Sequence, residues 1–350
     1  MIEPNPDFSR LLKALRRQEP DRVPLCELLM DLEAKEAFLG RPLVSLADDV
    51  EFWYRAGYDY IGLAPDVAFD FGHGQQIEDG QARRGRHWAV EGSGMVADWG
   101  DLEAHPVPSV NHVDFSAFDE VPGLLPDGMG VIGRWGDIFT TAWEMMGFTQ
   151  FCYAMREAPD FLAHLMRQLG ELAYATYEAL VQYDAVGALW YSDDIAYASG
   201  LMVGPAFLRQ HLFPWMKRIG DLAHSRGMPF IYHTDGVLWE VMEDLAYCGV
   251  DALQPIEPKA MDIVEVKRRY GDRFAVIGNV ELDLLARGTV EQVRAEVRRV
   301  IREVAPGGGF CLGSSNTIAY YVRPENYRAM IEETLSSGRY PIADPCTANR

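Results

Sequence analysis

The chain has 350 residues, a formal net charge of −20, and 48% hydrophobic and 24% charged residues. This is an ordinary globular composition, and the negative charge argues against nucleic acids and anionic membranes, which attract basic surfaces. The cysteines number five and form no close pair, which argues against a disulfide scaffold and a four-cysteine zinc site. The sequence shows no apolar run of about 18 residues and no signal-peptide pattern, so the expected location is the cytoplasm.

Short apolar runs alternate with helical patterns along the chain. Candidate strands lie at 23–28, 60–63, 130–133, 186–191, 229–233, 251–254, 274–277 and 309–312. The runs are continuous, which is typical of parallel strands buried on both faces. Eightfold alternation predicts one α/β domain over 1–350, a single (β/α)₈ TIM barrel. A doubly wound sheet is the alternative, but the sequence lacks the glycine-rich phosphate turn that it predicts.

One segment interrupts this alternation. Residues 80–102 read as a β-hairpin with its turn near Gly92 to Gly94. The segment follows the second strand, where an insertion can cover the mouth of a barrel. We therefore predict a hairpin insertion there, with Trp88 or Trp99 facing the cavity.

Polar residues just beyond the strands are the candidate site, because the active site of this fold lies at the carboxyl ends of the strands. In chain order they are Asp66, Arg134, Trp135, Asp137, Asp193, Asp194, His233, Asp235, Glu257, Asn279, Glu281, Ser314, Ser315 and Asn316. Acids crowded in this way raise one another's pKa unless they share a cation. A metal or a positively charged substrate group would relieve that repulsion.

Several of these residues also have a structural interpretation. For Asp193 and Ser314, a role as helix N-cap explains the residue as well as a role in the site does. Arg134 is a candidate clamp for an anion, although an internal ion pair with Asp137 or Asp194 explains it as well. His233 and Asp235 favour a functional role, because they are two residues apart and Gly236 follows them.

Five stretches resemble the uroporphyrinogen decarboxylase superfamily. They are SRLLKALRRQEPDRVPL at 9–25, the segment 204–218, HTDG at 233–236, IGNV at 277–280 and RPEN at 323–326. The superfamily contains cofactor-free decarboxylases of tetrapyrroles and zinc-dependent methyltransferases that move a methyl group between a corrinoid and a thiol. The resemblance covers about 8–335 and implies a barrel enzyme of one of these classes.

The sequence departs from both branches. The decarboxylases carry an arginine-rich loop after strand one and Gly-His-Gly after strand eight, whereas 26–31 here reads CELLMD and 312–316 reads LGSSN. The methyltransferases use a His, a Cys two residues later and a second Cys after strand eight. Here His233 matches the first ligand, Asp235 replaces the first Cys, and Ser315 lies near the second, with Cys311 a few residues too early.

We predict a methyltransferase-like enzyme with a metal, zinc, held by His233, Asp235 and Glu257, and a corrinoid as methyl donor or acceptor. The residues assigned to catalysis are Asp66, Asp194, His233 and Asp235, and those assigned to the substrate are Arg134, Trp135, Asn279, Glu281, Ser314, Ser315 and Asn316. The alternative is a metal-free decarboxylase, in which Arg134 holds a carboxylate and Asp66 or Asp194 protonates the product carbon. A non-catalytic corrinoid- or tetrapyrrole-binding protein is the third possibility. The expected partners are a small-molecule substrate and a corrinoid protein, with a homodimer as one possible assembly.

Overall fold

The computed structural model describes residues 3–67, 69, 76–77, 86–87 and 94–342. The strands are β1 (Tyr60–Leu63), β2 (Asp66–Val67), β3 (Gln76–Ile77), β4 (Arg86–His87), β5 (Val113–Asp114), β6 (Gly130–Gly136), β7 (Val186–Ser192), β8 (Ala196–Tyr197), β9 (Gly200–Leu201), β10 (Phe230–His233), β11 (Ala252–Gln254), β12 (Ala275–Val280) and β13 (Phe310–Ser314). Seven of them form one sheet in the order β1-β6-β7-β10-β11-β12-β13. All pairs in this sheet are parallel.

The helices lie between and around these strands. They are α1 (Phe8–Leu15), α2 (Leu32–Leu39), α3 (Leu46–Arg55), α4 (Trp99–Ala104), α5 (Ser116–Glu120), α6 (Ile138–Met146), α7 (Phe148–Glu157), α8 (Pro159–Leu180), α9 (Pro205–His211), α10 (Phe213–Ser225), α11 (Met242–Tyr247), α12 (Ile263–Tyr270), α13 (Leu282–Arg287), α14 (Val290–Val304) and α15 (Pro324–Ser337). Short 3₁₀ turns occur at Val110–His112 and Val121–Gly123. Within the described ranges no helix combines the length and apolarity needed to cross a membrane.

The strands form where the sequence is continuously apolar. All residues of β10, β11, β12 and β13 are buried, as expected for strands covered on both faces. The helices carry one apolar face each, and α14 begins with a capping box in which Thr289 and Gln292 bond reciprocally. The α/β architecture predicted from the sequence is therefore confirmed, with a parallel sheet that is consistent with a TIM-like barrel.

The predicted first strand at 23–28 is reduced to a bridge. Leu25 pairs in parallel with Leu312 of β13, and the hydroxyl of Tyr60 in β1 bonds to both the backbone N–H and the carbonyl of Glu27. Pro24 has no N–H to donate to a ladder, and the Tyr60 hydroxyl occupies the groups of Glu27 that a strand partner would use. The segment still lies between the first and last strands of the sheet, the position that closes a barrel.

Residues 80–85 and 88–93 of the predicted hairpin at 80–102, among them Trp88, lie outside the described residues. Within the segment, β4 pairs antiparallel with β3, which lies before it. The last part of the segment is helical instead, because α4 begins at Trp99, where the Asp98 side chain accepts bonds from the N–H groups of Gly100 and Asp101. The Trp99 ring packs against Phe161 and His164 at centroid distances of 5.3 and 5.0 Å. The prediction is therefore wrong for residues 99–102, since a good N-cap precedes them.

Candidate functional site

Asp193, the first acid after β7, is fully buried and caps a helix. Its carboxylate accepts bonds from the N–H groups of Phe139 and Thr140, both at 2.8 Å, and from the hydroxyl of Tyr191 at 2.6 Å. The two amides belong to the first turn of α6, which attracts negative charge. Burial raises the pKa of Asp193 to about 6, and these three donors oppose the rise. Asp193 therefore fixes α6 above the strand ends.

Asp194, His233 and Asp235 form a cluster, called here the DHD cluster. One ligand atom from each side chain lies within 4.8 Å of the others. The Nε2 atom of His233 is 3.9 Å from Oδ1 of Asp194, and the backbone N–H of Asp235 donates to the same oxygen at 2.9 Å. The residues follow or end β7 and β10, which are paired neighbours in the sheet. One nitrogen and two carboxylate oxygens this close together are suitable ligands for a divalent cation such as zinc.

The His233 ring is buried and held in place by Gln254. The two residues are opposite each other in the pairing of β10 with β11, and Nδ1 of His233 hydrogen-bonds Oε1 of Gln254. An amide oxygen at Nδ1 places the ring proton there and leaves the lone pair on Nε2. The free Nε2 lone pair is thus available on the atom closest to Asp194.

Asp235 has one satisfied and one unsatisfied carboxylate oxygen. Oδ2 accepts a bond from Nδ2 of Asn316 at 2.7 Å, whereas Oδ1 is buried without a partner among the described residues. Burial raises the pKa of Asp235 to about 6, and the charges of Asp194 and Glu257 add to the rise, while His233 lowers it. An unpaired buried carboxylate oxygen is costly, and a cation at Oδ1 would relieve the cost.

The backbone after Asp235 depends on a glycine. Gly236 has φ +87°, and a Cβ there would stand 2.5 Å from the carbonyl carbon of Ala196. The next helix, α11, begins only at Met242, so Asp235 does not cap a following helix.

Glu257, which the sequence pattern predicts to be a metal ligand, is not a member of the DHD cluster. The third member is instead Asp194, which follows β7, a direct neighbour of β10 in the sheet. Glu257 acts on Asp235 through its charge and lines a neighbouring cavity of about 330 Å³ with Glu281. Lys259 in the same cavity lies 3.1 Å from the carboxylate of Glu281.

Asn279 is buried within β12 rather than beyond it. Its Nδ2 donates to the carbonyl of Ile256 at 2.9 Å, and its Oδ1 has no partner in the described part of the chain. The side chain therefore tethers the residues that follow β11. Its free oxygen is the only acceptor that it can offer to a ligand.

The residues at the end of β13 support the cluster from the other side. Ser314 is buried, and its N–H and hydroxyl both contact the carboxyl group of Glu27 at 2.7 Å. Ser315 accepts a bond from the N–H of Leu282 at 3.2 Å. Asn316 is the member of this group that reaches the DHD cluster, through Asp235.

Arg134 and Trp135 lie in the last part of β6 and line a cavity of about 250 Å³ together with Asp137. The Arg134 guanidinium makes a 3.4 Å contact with the carbonyl of Gly62, its Nε has no partner, and no ion pair joins it to an acid within the described ranges. Gly62 leaves room for it, since a Cβ there would stand 3.0 Å from Nε. The ion pair with Asp137 or Asp194 considered from the sequence is thus missing.

Asp137 and Asp66 differ in their surroundings. Burial, together with the charges of Asp193 and Asp194, raises the pKa of Asp137 well above its usual range. Asp66 is exposed, and its carboxylate accepts a bond from the N–H of Val67 at 2.9 Å. The structure therefore does not bring Asp66 into the DHD cluster, because β2 pairs with β5 in a separate ladder.

Two residues with structural roles at the site were not assigned from the sequence, Gln254 and Glu27. Gln254 ends an apolar run, and its register opposite His233 is the signal that could have identified it. Glu27 is a charged residue inside an apolar run, which is itself unusual.

Comparison with known proteins identifies the family of this chain. The family model described as uroporphyrinogen decarboxylase (URO-D) matches residues 115–335, more than half of the chain. The chain belongs to the uroporphyrinogen decarboxylase family. The resemblance recognised from the sequence is thereby confirmed.

Relatives in this family fall into two groups. A uroporphyrinogen decarboxylase from Thioalkalivibrio sulfidiphilus is 27% identical over 63% of this chain and 62% of its own length. A methylcobamide:CoM methyltransferase, MtaA, from Methanosarcina barkeri is 23% identical over 92% of this chain and 96% of its own. A solved methyltransferase structure from Methanosarcina mazei shares the fold, with a TM-score of 0.69 and 19% identity over 94% of this chain and 98% of its own.

Proposed function

We propose that this protein is a metal-assisted, methyltransferase-like enzyme that moves a methyl group to or from a corrinoid or a thiol. The observation that carries the proposal is the DHD cluster, with a free Nε2 lone pair on His233 and an unpaired buried oxygen on Asp235. A neutral His233 and an ionised Asp235 would offer these two atoms to a cation. The methylcobamide:CoM methyltransferase relative, which matches along most of its length, supports this class.

The donor set fits a divalent metal. Zinc accepts imidazole nitrogen and carboxylate oxygen, and Asp194, His233 and Asp235 would hold it. When bound, it would supply Lewis acidity toward the methyl acceptor or donor. Without thiolate ligands the ion would be a harder Lewis acid, which favours oxygen or nitrogen ligands on the substrate side.

The chain's own residues prepare this site. Gln254 fixes the tautomer of His233, and Asn316 turns the carboxylate of Asp235 so that Oδ2 is satisfied and Oδ1 stays free. Asp193 anchors α6 over the strand ends without entering the cluster. Support of this kind typically changes metal affinity or activity by about 10- to 100-fold.

Metal analysis tests the proposal directly. The purified protein should bind Zn²⁺ or Co²⁺ with one-to-one stoichiometry, measured by titration calorimetry and by the visible spectrum of Co²⁺. Asp194→Asn should weaken this binding, whereas Glu257→Gln should leave it nearly unchanged, because Glu257 stands outside the DHD cluster. Asp66→Asn is the matched control, since it removes one exposed carboxylate elsewhere. The reverse result for Asp194 and Glu257 would reject this ligand set.

Turnover is tested with methylcobalamin and a thiol such as coenzyme M. Transfer would break the cobalt–carbon bond, form a sulfur–carbon bond and release the thiol proton, and the loss of the methylcobalamin spectrum reports it. Metal-dependent turnover supports the proposal. Tight binding of methylcobalamin without turnover would instead favour a corrinoid-binding protein.

A metal-free decarboxylase is the second candidate, and Arg134 is the observation that favours it. A guanidinium with no acidic partner in the described part of the chain, at a cavity of about 250 Å³, is suited to hold a substrate carboxylate. With Asp66 outside the cluster, Asp194 is the proton donor proposed for the product carbon. Release of CO₂ from uroporphyrinogen in the presence of a chelator, lost in Arg134→Met, would establish this function in place of methyl transfer.

A further inference from the structure

Glu27 is a fully buried carboxyl group with no positively charged partner among the described residues. It is completely buried in the segment between β13 and β1. Its ionisable neighbours from the adjacent elements are Cys26, Tyr58, Tyr60 and Tyr327, and none of them carries a positive charge. Within the described ranges no ion pair reaches Glu27. An ionised carboxylate at such a place would be strongly disfavoured.

The hydrogen bonds around Ser314 independently indicate that Glu27 is not ionised. The Ser314 N–H donates to Oε1 of Glu27, so this oxygen is an acceptor and need not carry the proton of the carboxyl group. The Ser314 hydroxyl, however, lies within hydrogen-bond distance of both Oε2 of Glu27 and the carbonyl of Asn316. Both oxygens are acceptors if Glu27 is ionised, and one hydroxyl has only one proton.

A protonated Glu27 resolves this conflict. Its O–H donates to the Ser314 oxygen, and the Ser314 hydroxyl then donates to the carbonyl of Asn316. Asn316 is in turn held so that its side chain donates to Asp235 at 2.7 Å. The order of donors therefore runs from the buried acid toward the DHD cluster.

We propose that Glu27 is an uncharged carboxylic acid in the folded protein, and that it is the positioning residue that keeps Asn316 on Asp235. It bonds to none of the residues of the DHD cluster, and it acts through Ser314. The inference rests on the proposed function only for the role of Asp235 as a metal ligand. The charge state of Glu27 and its effect on the position of Asn316 do not depend on the proposed function.

The charge state has a definite effect on stability. Burial raises the pKa of Glu27 to about 8 from 4.5. Because this pKa is higher in the folded than in the unfolded chain, the folded state binds more protons between these values. The contribution of Glu27 to stability is therefore complete below about pH 4.5, falls as the pH rises, and reaches its lowest level above about pH 8.

Chemical unfolding of the wild type and Glu27→Gln, from pH 5 to pH 9, tests this. Gln donates an N–H to Ser314 as the protonated acid does, so the variant should fold and match the wild type at pH 5. The wild type should lose stability relative to Glu27→Gln as the pH rises, because all other titrating groups cancel in the difference. A difference that does not vary with pH would overturn the charge assignment, as would an unchanged infrared band of protonated carboxyl groups in the variant.

The positioning role is tested at Asn316. The NMR signal of its side-chain amide, assigned with Asn316→Asp, should show a transition near pH 8 in the wild type and none in Glu27→Gln. Ser314→Ala should also remove that transition, because it cuts the connection. A transition that persists in Ser314→Ala would refute the positioning role. These measurements need no metal and no substrate, so they can fail while the proposed function stands, and the reverse is also true.

Discussion

Two fully buried acids, Asp193 beside β7 and Glu27 beside β13, show how the surroundings set the charge of the same chemical group. Asp193 accepts three hydrogen bonds, two of them from the amides that begin α6. Glu27 has a single N–H donor and shares a hydroxyl with another acceptor. Burial accordingly raises the pKa of Asp193 only to about 6, but that of Glu27 to about 8. The number of donors, rather than burial itself, distinguishes the two sides.

The comparison extends to what each side can bind. The β7–β10 side keeps its acids available for a cation, since the DHD cluster contains two carboxylates and one imidazole. The β13 side contains the neutral acid Glu27 and the side-chain amide of Asn316, which orients Asp235. We therefore expect the β7–β10 side to carry the chemistry and the β13 side to position Asp235. The variants described next test this difference.

The largest effect is expected at the cluster itself. His233→Ala and Asp235→Ala should each reduce turnover by about 100-fold or more, because each removes a metal ligand. The double variant should be about as inactive as either single one, since both residues serve one ion. Circular dichroism and thermal unfolding check that the fold is retained. Additive losses would show that the two residues act separately.

Asp193→Ala should affect stability more than metal binding. It leaves two buried helix amides and the Tyr191 hydroxyl without their acceptor, which costs about 2–3 kcal/mol in the free energy of unfolding. Zinc affinity per folded molecule should change little, because Asp193 lies outside the DHD cluster. A loss of affinity as large as that of Asp194→Asn would place Asp193 among the ligands.

The same comparison shows which features of the fold and the site could be predicted from the sequence. Continuous apolar runs located the strands of the sheet, because strands buried on both faces exclude polar residues. Polar residues just beyond these strands were then predicted to be candidate site residues, and Asp194, His233 and Asp235 are among them. The choice between Asp194 and Glu257 could not be predicted, because it depends on which carboxylate the strand register brings close to Nε2 of His233. Pro24 lies within the predicted first strand, but the Tyr60 hydroxyl, which bonds to Glu27, acts over a sequence distance that no local pattern records.

A smaller effect is expected for Gln254→Ala, which sharpens the role of the histidine. Without the amide oxygen at Nδ1, the ring of His233 can take the other tautomer and rotate, so metal affinity should fall by about 10-fold. Gln254→Glu is the informative partner, because a carboxylate accepts the same bond and should keep or increase the affinity. Titration with Co²⁺ measures both. Equal affinity in the wild type and Gln254→Ala would mean that Gln254 only fills space.

The smallest change, Ser314→Ala, separates a neutral Glu27 from an ionised one. A hydrogen bond between neutral groups contributes about 1 kcal/mol, whereas one to a charged group contributes about 1.5–3 kcal/mol. Ser315→Ala is the control, since it loses one bond between neutral groups, with the N–H of Leu282. Ser314→Ala loses two, with Glu27 and with the carbonyl of Asn316, so at pH 6, below the pKa of Glu27 of about 8, we expect losses of about 2 kcal/mol at Ser314 and about 1 kcal/mol at Ser315. The loss at Ser314 should grow between pH 6 and pH 9, because the hydroxyl then faces an ionised carboxylate, while the loss at Ser315 should stay the same. A loss at Ser314 that is equal at both pH values would indicate one charge state of Glu27 throughout, and the contrast with Asp193 would then be lost.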